Sequence, residues 1–146
     1  MSPNTLSRTL AIKERLRQWR RAELVEADGE VARAQERVDE HAAQQQAATA
    51  AVTAEGEVSA NELALHAEQL ARTQEALRKA RAVLAACEGE RESRREQVGE
   101  ATREVKAIEA LYERLLSEQR REQGLREQRD MDENAARKAG PKGTRT

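Results

Sequence analysis

Residues 59–87 read SANELALHAEQLARTQEALRKARAVLAAC and open a proline-free run that continues to Lys138. In this run apolar residues recur every seven positions, and a second apolar series follows three residues after members of the first. The two series are Leu63, Leu70, Leu77, Leu84, Val98, Val105 and Tyr112, and Ala80, Cys87, Ala101, Ile108 and Leu115. Such heptads predict a helix whose apolar seam packs along a partner helix. At ~1.5 Å per residue the run would be roughly 120 Å long, which predicts a rod and not a compact domain.

The composition is typical of solvated helices. The 146 residues include one tryptophan, one tyrosine and no phenylalanine, and 36% of the residues are charged. Because so few large side chains cannot fill a globular core, we expect neither an enzyme nor a bound cofactor. His41, His66 and the single Cys87 lack metal-ligand spacing, so no metal site is predicted, and Cys87 is interpreted as a small seam residue.

Overall charge and hydropathy exclude several classes of partner. The formal net charge is −1 and the sequence pI is about 6.2, so there is no overall attraction to nucleic acid or to an anionic membrane. No segment has the features of a signal peptide, and no apolar run approaches the ~18–20 residues that span a bilayer. We therefore expect a cytoplasmic protein without nucleic-acid binding or membrane insertion.

A first helix is predicted from about residue 6 to residue 54. Its seam positions are Leu24, Val31, Val38, Gln45 and Val52 in one series, and Ala27, Ala34, His41 and Ala48 in the other. Alanine lets the two backbones approach closely but buries little apolar area. This part of the hairpin is therefore expected to be thin and only moderately stable.

A short turn at about residues 55–59 separates the two helices. Gly56 permits the first helix to stop, and Ser59 with Glu62 forms an S-x-x-E capping box for a second helix over about residues 60–138. A turn this short makes the helices antiparallel neighbours, with the numbers of paired residues adding up to about 115. The predicted fold class is all-α, a long antiparallel two-helix coiled-coil hairpin.

The second helix is longer than the first. From about Leu111 to Lys138 it has no intramolecular partner, so a C-terminal helical overhang is predicted. Residues 1–138 are expected to form one helical domain, followed by a flexible tail over residues 139–146.

One level of the hairpin is predicted to be soft. Gly29 and Gly89 lie almost opposite each other, and Arg91 and Arg94 occupy seam positions that are normally apolar. A glycine inside a helix costs ~1 kcal/mol relative to alanine, so this layer should be a weak point or a bend. Alternatively, the arginines extend outwards from a tolerated weak layer. Replacing both arginines by leucine is expected to raise the melting temperature.

Charges are distributed unevenly along the chain. Residues 1–21 carry a net charge of +5, whereas residues 22–75, with twelve acids against three arginines, carry −9. The cations of the first segment are Arg8, Lys13, Arg15, Arg17, Arg20 and Arg21. Arg17, Arg20 and Arg21 are expected to lie mainly off the seam. Opposite signs predict one partner at the base, where the termini lie, and another at the tip, which contains the turn.

An apolar stripe of Ile12, Leu16 and Trp19 departs from the seam set by Leu10 and Leu24. Because a hairpin covers one seam per helix, this extra surface should remain open to another protein. A register stutter that rotates the stripe into the seam is the alternative.

Two segments near the chain ends carry recognisable motifs. Residues 9–24 read TLAIKERLRQWRRAEL, with the pair Ala22-Glu23, and residues 118–137 read EQRREQGLREQRDMDENAAR. They are similar to the N-terminal and C-terminal signatures of the YscO/FliJ family, the central stalk proteins of type III secretion systems and the flagellar export apparatus. Gly124 departs from the continuous helix that the resemblance implies.

The resemblance implies a non-enzymatic stalk, whose base inserts into a hexameric secretion ATPase and whose tip reaches the cytoplasmic ring of the export gate. The implied ATPase contacts are Lys13, Arg15, Arg17, Trp19, Arg20, Arg21, Leu116, Arg120 and Arg121. The implied gate contacts are Glu55, Gly56, Glu57 and Glu62. The free protein is expected to be a monomer at the periphery of the inner-membrane apparatus, with secretion chaperones as further partners.

Two other classes of function remain open. A structural coiled-coil scaffold would explain the heptads and the overhang, and it would form a stable oligomer. A helical-hairpin secretion chaperone would explain the uncovered apolar stripe, and it would bind secreted substrates.

Overall fold

The computed structural model describes residues 2–54, 56 and 59–139. It contains two α-helices, α1 over Pro3–Ala54 and α2 over Ala60–Ala139, packed against each other as a hairpin. No β-strand occurs among the described residues. The all-α hairpin predicted from the sequence is confirmed.

A serine precedes the first helix and sets its start. The Ser2 hydroxyl accepts the backbone N–H of Thr5 at 3.2 Å, as an N-cap side chain does. Pro3 then occupies the first helical position, where its fixed φ is favourable and its missing N–H is not needed. The helix therefore begins at Pro3, whereas the sequence predicted a start near Leu6.

A second serine sets the start of α2. The Ser59 hydroxyl accepts the backbone N–H of Glu62 at 3.3 Å, which is the first half of the predicted capping box. Gly56 is exposed in the turn. Residues 55, 57 and 58 and the predicted tail beyond Ala139 lie outside the described part of the chain.

The chain forms two compact units. The first comprises Met1–Leu16 with Thr102–Thr146, and its most buried described side chains are Leu6 and Val105, which are 2% and 0% exposed. The second comprises Arg17–Ala101. Its buried residues all occupy predicted seam positions and are Ala27, Val31, Ala34, Val38, Leu77 and Ala101. Most of these side chains are small, so each layer buries little apolar area.

Polar contacts between α1 and α2 report the register of the hairpin. In the first unit Lys13 Nζ lies 2.9 Å from the Glu104 carboxylate, and in the second unit Arg20 donates to Gln97 at 3.2 Å. The residue numbers of each pair add up to 117, two more than the expected 115. Helical side chains lean by about one residue towards the N-terminus of their own helix, which accounts for the difference in an antiparallel pair.

Charged residues continue the α1 seam towards the N-terminus. Lys13, Arg17 and Arg20 precede Leu24 at steps of four, three and four residues, and all three are half-buried. The expectation that Arg17 and Arg20 lie mainly off the seam is therefore wrong, because the helix keeps its heptad phase through charged positions. Of the predicted stripe, Ile12 and Trp19 are 65% and 58% exposed and Leu16 is half-buried, so a register stutter that rotates the whole stripe into the seam does not occur.

The predicted soft layer lies within continuous helix. Gly29 and Gly89 are both helical, and Arg91 and Arg94 are half-buried. Arg94 has partners within the hairpin, as described below. That this layer is soft stays a prediction.

The C-terminal part of α2 is uncovered among the described residues. It runs without interruption through Gly124, and every residue from Ser117 to Ala139 is exposed. Leu125 and Met131 are the large apolar side chains of this segment, 48% and 66% exposed.

Candidate functional site

The predicted ATPase contacts are distributed over both units. Lys13, Arg15, Leu116, Arg120 and Arg121 belong to the first unit, and Arg17, Trp19, Arg20 and Arg21 belong to the second. They divide into side chains that point to solvent and side chains that hold the hairpin together. Only the first group can meet a partner without breaking an intramolecular contact.

In the first unit, Arg15 is exposed and forms no ion pair among the described residues. Lys13 is held by Glu104, in an ion pair that is partly open to solvent on both sides. Leu116 is half-buried, and the Nε of exposed Arg120 donates to its carbonyl oxygen at 3.4 Å. Arg121 is exposed one residue further along α2.

In the second unit, Trp19 and Arg21 face solvent on α1. The guanidinium of Arg20 lies 5.2 Å from the centre of the Trp19 ring, a geometry in which a cation is attracted to the ring face. Trp19 remains 58% exposed, so its ring is an apolar surface beside cations. Arg17 is half-buried.

A polar cluster lies between α1 and α2 in the second unit. The carboxylate of Glu23 accepts a charge-assisted hydrogen bond from Arg94 Nη1 and lies 3.5 Å from Arg20 Nη1. Arg20 also donates to Gln97 at 3.2 Å, and Arg94 Nε lies 2.9 Å from Glu90. The sequence had marked Arg94 as a defect of the seam, but its partner 71 residues away was not predicted.

The tip presents acidic and apolar groups together. Glu62 and Gly56 are exposed, while Glu55 and Glu57 lie outside the described residues. Leu63 and Leu65 are 55% and 65% exposed beside Glu62. Leu63 was predicted as a seam residue, and it is the one member of its series that stays exposed. The tip therefore offers two exposed leucine side chains, of which the heptad pattern assigned Leu63 to the interior.

In the described part of the chain, the ionisable groups whose pKa is shifted lie on the surface. A hydrogen bond from Arg78 lowers the pKa of the exposed Glu75 carboxyl, and the Arg78 pKa is raised by the same contact. No group of three or more His, Cys, Asp or Glu side chains that could hold a metal ion occurs among the described residues. None of the described helices is long and apolar enough to cross a membrane.

Comparison with known proteins supports the resemblance seen at the two chain ends. A family model described as the flagellar FliJ protein matches residues 2–144. Searches of curated proteins and of solved structures gave no significant match. The family match covers the acidic, alanine-rich middle of the chain as well as the two signatures.

Proposed function

This chain belongs to the flagellar FliJ family, whose members are structural components of the flagellar and type III export apparatus, and from that membership we propose a specific stalk role. In the proposal, the base of the hairpin binds the central hole of a hexameric secretion ATPase. The tip binds the cytoplasmic ring of the export gate. The protein performs no chemistry itself and works in the cytoplasm against the inner-membrane apparatus.

The observation that carries the proposal is the exposure of cations and aromatic surface near the start of α1. Arg15 and Arg21 are exposed and have no ion pair among the described residues, and Trp19 is mostly exposed. Buried aromatic and arginine side chains dominate the binding energy of protein interfaces. An acidic, partly apolar lining of a ring would therefore find complementary groups in Arg15 of the first unit and in Trp19 and Arg21 of the second.

The uncovered end of α2 supports the same proposal. Residues 117–139 make no contact that removes them from solvent, so they need no rearrangement to enter a ring. Arg120 and Arg121 lie in its first turns and extend the set of available cations.

At the tip, the acidic and apolar groups support a second, different partner. Exposed Glu62 is accompanied by exposed Leu63 and Leu65, which is the combination of apolar anchor and polar rim found in protein interfaces. We assign the gate contact to this end, together with Glu55, Gly56 and Glu57.

Charge reversal at exposed positions tests the ATPase contact. Arg15→Glu with Arg21→Glu should leave the fold intact, because surface substitutions usually change stability by about 0.5 kcal/mol or less. Each exposed ion pair contributes about 0.2–1 kcal/mol, so two reversals should weaken ATPase binding roughly tenfold. Stimulation of hydrolysis should fall with binding.

The matched control is Arg33→Glu with Arg37→Glu, which makes the same change in net charge. Both arginines are exposed, belong to α1 and form no ion pair among the described residues. Equal loss of binding in both variants would indicate a general charge effect and would contradict a specific contact. Arg20 is unsuitable for this test, because it also bridges to Gln97.

Exposed Ile12 and Trp19 also favour a helical-hairpin chaperone as a second candidate function. Co-purification from cells distinguishes the chaperone from the stalk, since secreted substrates should co-purify with a chaperone and the ATPase should co-purify with a stalk. A stable oligomer in gel filtration with light scattering would favour the scaffold.

A further inference from the structure

In the second unit the carboxylate of Glu23 is largely enclosed between the helices. The side chain of Glu23 is 17% exposed and contacts Arg94 across the hairpin, with Arg20 at 3.5 Å on its own helix. Arg20 and Arg94 both donate to the side-chain oxygen of Gln97, at 3.2 and 3.4 Å. Four polar side chains therefore meet at one level of the seam.

The apolar seam beyond this cluster is nearly repetitive. On α1, the pair Ala27 and Val31 is followed seven residues later by Ala34 and Val38. On α2, leucine recurs every seven residues at 70, 77 and 84. A slide of one heptad can therefore put Ala27 and Val31 in the place of Ala34 and Val38, and one of these leucines in the place of the next. Within these layers apolar burial discriminates weakly between registers, whereas the seam positions beyond them are His41 and Gln45 on α1 and Arg91 on α2.

The hairpin topology permits such a slide. When two antiparallel helices slide by seven residues, one gains and the other loses residues, and the turn moves by about half that number. Gly56, a described residue between the two helices, is exposed and is not packed against either helix.

The polar cluster does discriminate between registers. Contacting side chains in the present register have numbers that add up to 117. A slide of one heptad in one direction places Glu23 against Cys87, and a slide in the other direction places it against Ala101. In both cases a largely enclosed carboxylate loses Arg94 and faces an apolar side chain, which is strongly unfavourable.

We propose that Glu23, paired with Arg94, selects the register of the hairpin from several that the apolar seam alone would accept. Glu23 acts as a positioning residue, in the way that one polar residue in a coiled-coil seam specifies register at some expense of stability. Without its charge, the helices populate a second register, displaced by about 10 Å along the axis. This inference is independent of the proposed role in export.

Distance measurement by pulsed electron paramagnetic resonance tests the proposal in the full-length chain. Spin labels are placed on Gln46→Cys and Ser93→Cys, both exposed positions of the second unit, with Cys87→Ala to remove the native thiol. Their separation along the axis is about 33 Å in the present register and about 22 or 43 Å after a slide. Dilution with unlabelled protein removes distances between chains.

The chain with Glu23 intact should give a single distance. Glu23→Ala should add a second population, shifted by about 10 Å and comprising about a tenth or more of the molecules. The matched control is Glu26→Ala, an exposed carboxylate of the same helix without an ion pair among the described residues, and it should give the single distance.

Glu23→Gln provides the second variant, because it keeps the size of the side chain and removes its charge. If Glu23→Ala does not fold, as judged by circular dichroism, the glutamine variant decides. One unchanged distance in the folded variants overturns the proposal. A second distance in Glu26→Ala, as populated as the one in Glu23→Ala, also overturns it, because the register would then depend on the total negative charge of the helix and not on Glu23.

Discussion

Replacing Arg94 by leucine should destabilise the hairpin, although its seam position favours an apolar residue. The Arg94 side chain is 33% exposed, and the Glu23 carboxylate that it contacts is 17% exposed. Removal of the guanidinium leaves Arg20, at 3.5 Å, as the remaining cation beside Glu23 among the described residues. For Arg94 alone we therefore expect the opposite direction from the one that the heptad pattern predicts for replacing Arg91 and Arg94 together.

Two opposing effects set the size of the change. A leucine that becomes about half-buried contributes roughly 1 kcal/mol of apolar burial. Loss of a charge-assisted hydrogen bond to a largely buried carboxylate costs about 1.5–3 kcal/mol. The balance lowers the free energy of unfolding by about 1 kcal/mol, which corresponds to a melting temperature lower by about 3 °C for a chain of this length.

Urea unfolding followed by circular dichroism provides the assay, applied to Arg94→Leu, Glu23→Ala and the double variant. Once Glu23 has been removed, the leucine should stabilise the hairpin by roughly 1 kcal/mol, so the coupling energy of the cycle should be about 1.5–3 kcal/mol. Arg95→Leu is the control, because Arg95 is 60% exposed and pairs only with its helical neighbour Glu92 among the described residues. An Arg94→Leu variant that is more stable than the parent, with Glu23 in place, would refute the reasoning.

Three further predictions follow from the seam and the overhang. Spin labels at Val31 and Leu84 should give a short distance within one chain; if it arises only between differently labelled chains, the hairpin is exchanged between subunits. Gly89→Ala should stabilise α2 by about 1 kcal/mol and slow local amide exchange, because an added Cβ meets nothing within 4 Å; unchanged exchange would remove glycine as the cause of softness. Deletion of residues 118–146 should leave the melting temperature unchanged but weaken ATPase binding, since every described residue of this segment is exposed; a lower melting temperature would reveal contacts that stabilise the free protein.

The seam of α2 was predictable because its heptads are carried by large apolar residues. Leu77 and Val105 are buried as the pattern requires, and Ser59 caps the helix as its spacing from Glu62 indicates. The basic segment of α1 was less predictable. Three successive seam positions between Leu10 and Leu24, at Lys13, Arg17 and Arg20, are charged, so hydropathy did not indicate that these side chains lie in the seam.

The exposure of side chains at the candidate sites also depends on the heptad phase of α1. The heptad pattern marks Ile12 and Trp19 as an extra apolar stripe, but whether another part of the chain covers them depends on the packing of the two helices. A continuous helix keeps its phase whatever residues occupy the seam, so both remain exposed. At the tip the heptad phase is kept, but Leu63 is exposed. A seam position near the end of a hairpin has fewer neighbours on the partner helix, and the sequence pattern does not show this.

The sequence by itself determined the two helices, the turn between them and the separation of basic and acidic segments, because periodicity, capping and charge are local properties. The tertiary structure decided which charged residues face the partner helix and which face solvent. It alone paired Glu23 with Arg94, 71 residues apart. That pairing depends on the register between the two helices. Register is a property of both helices together, so the apolar pattern of either helix alone does not contain it.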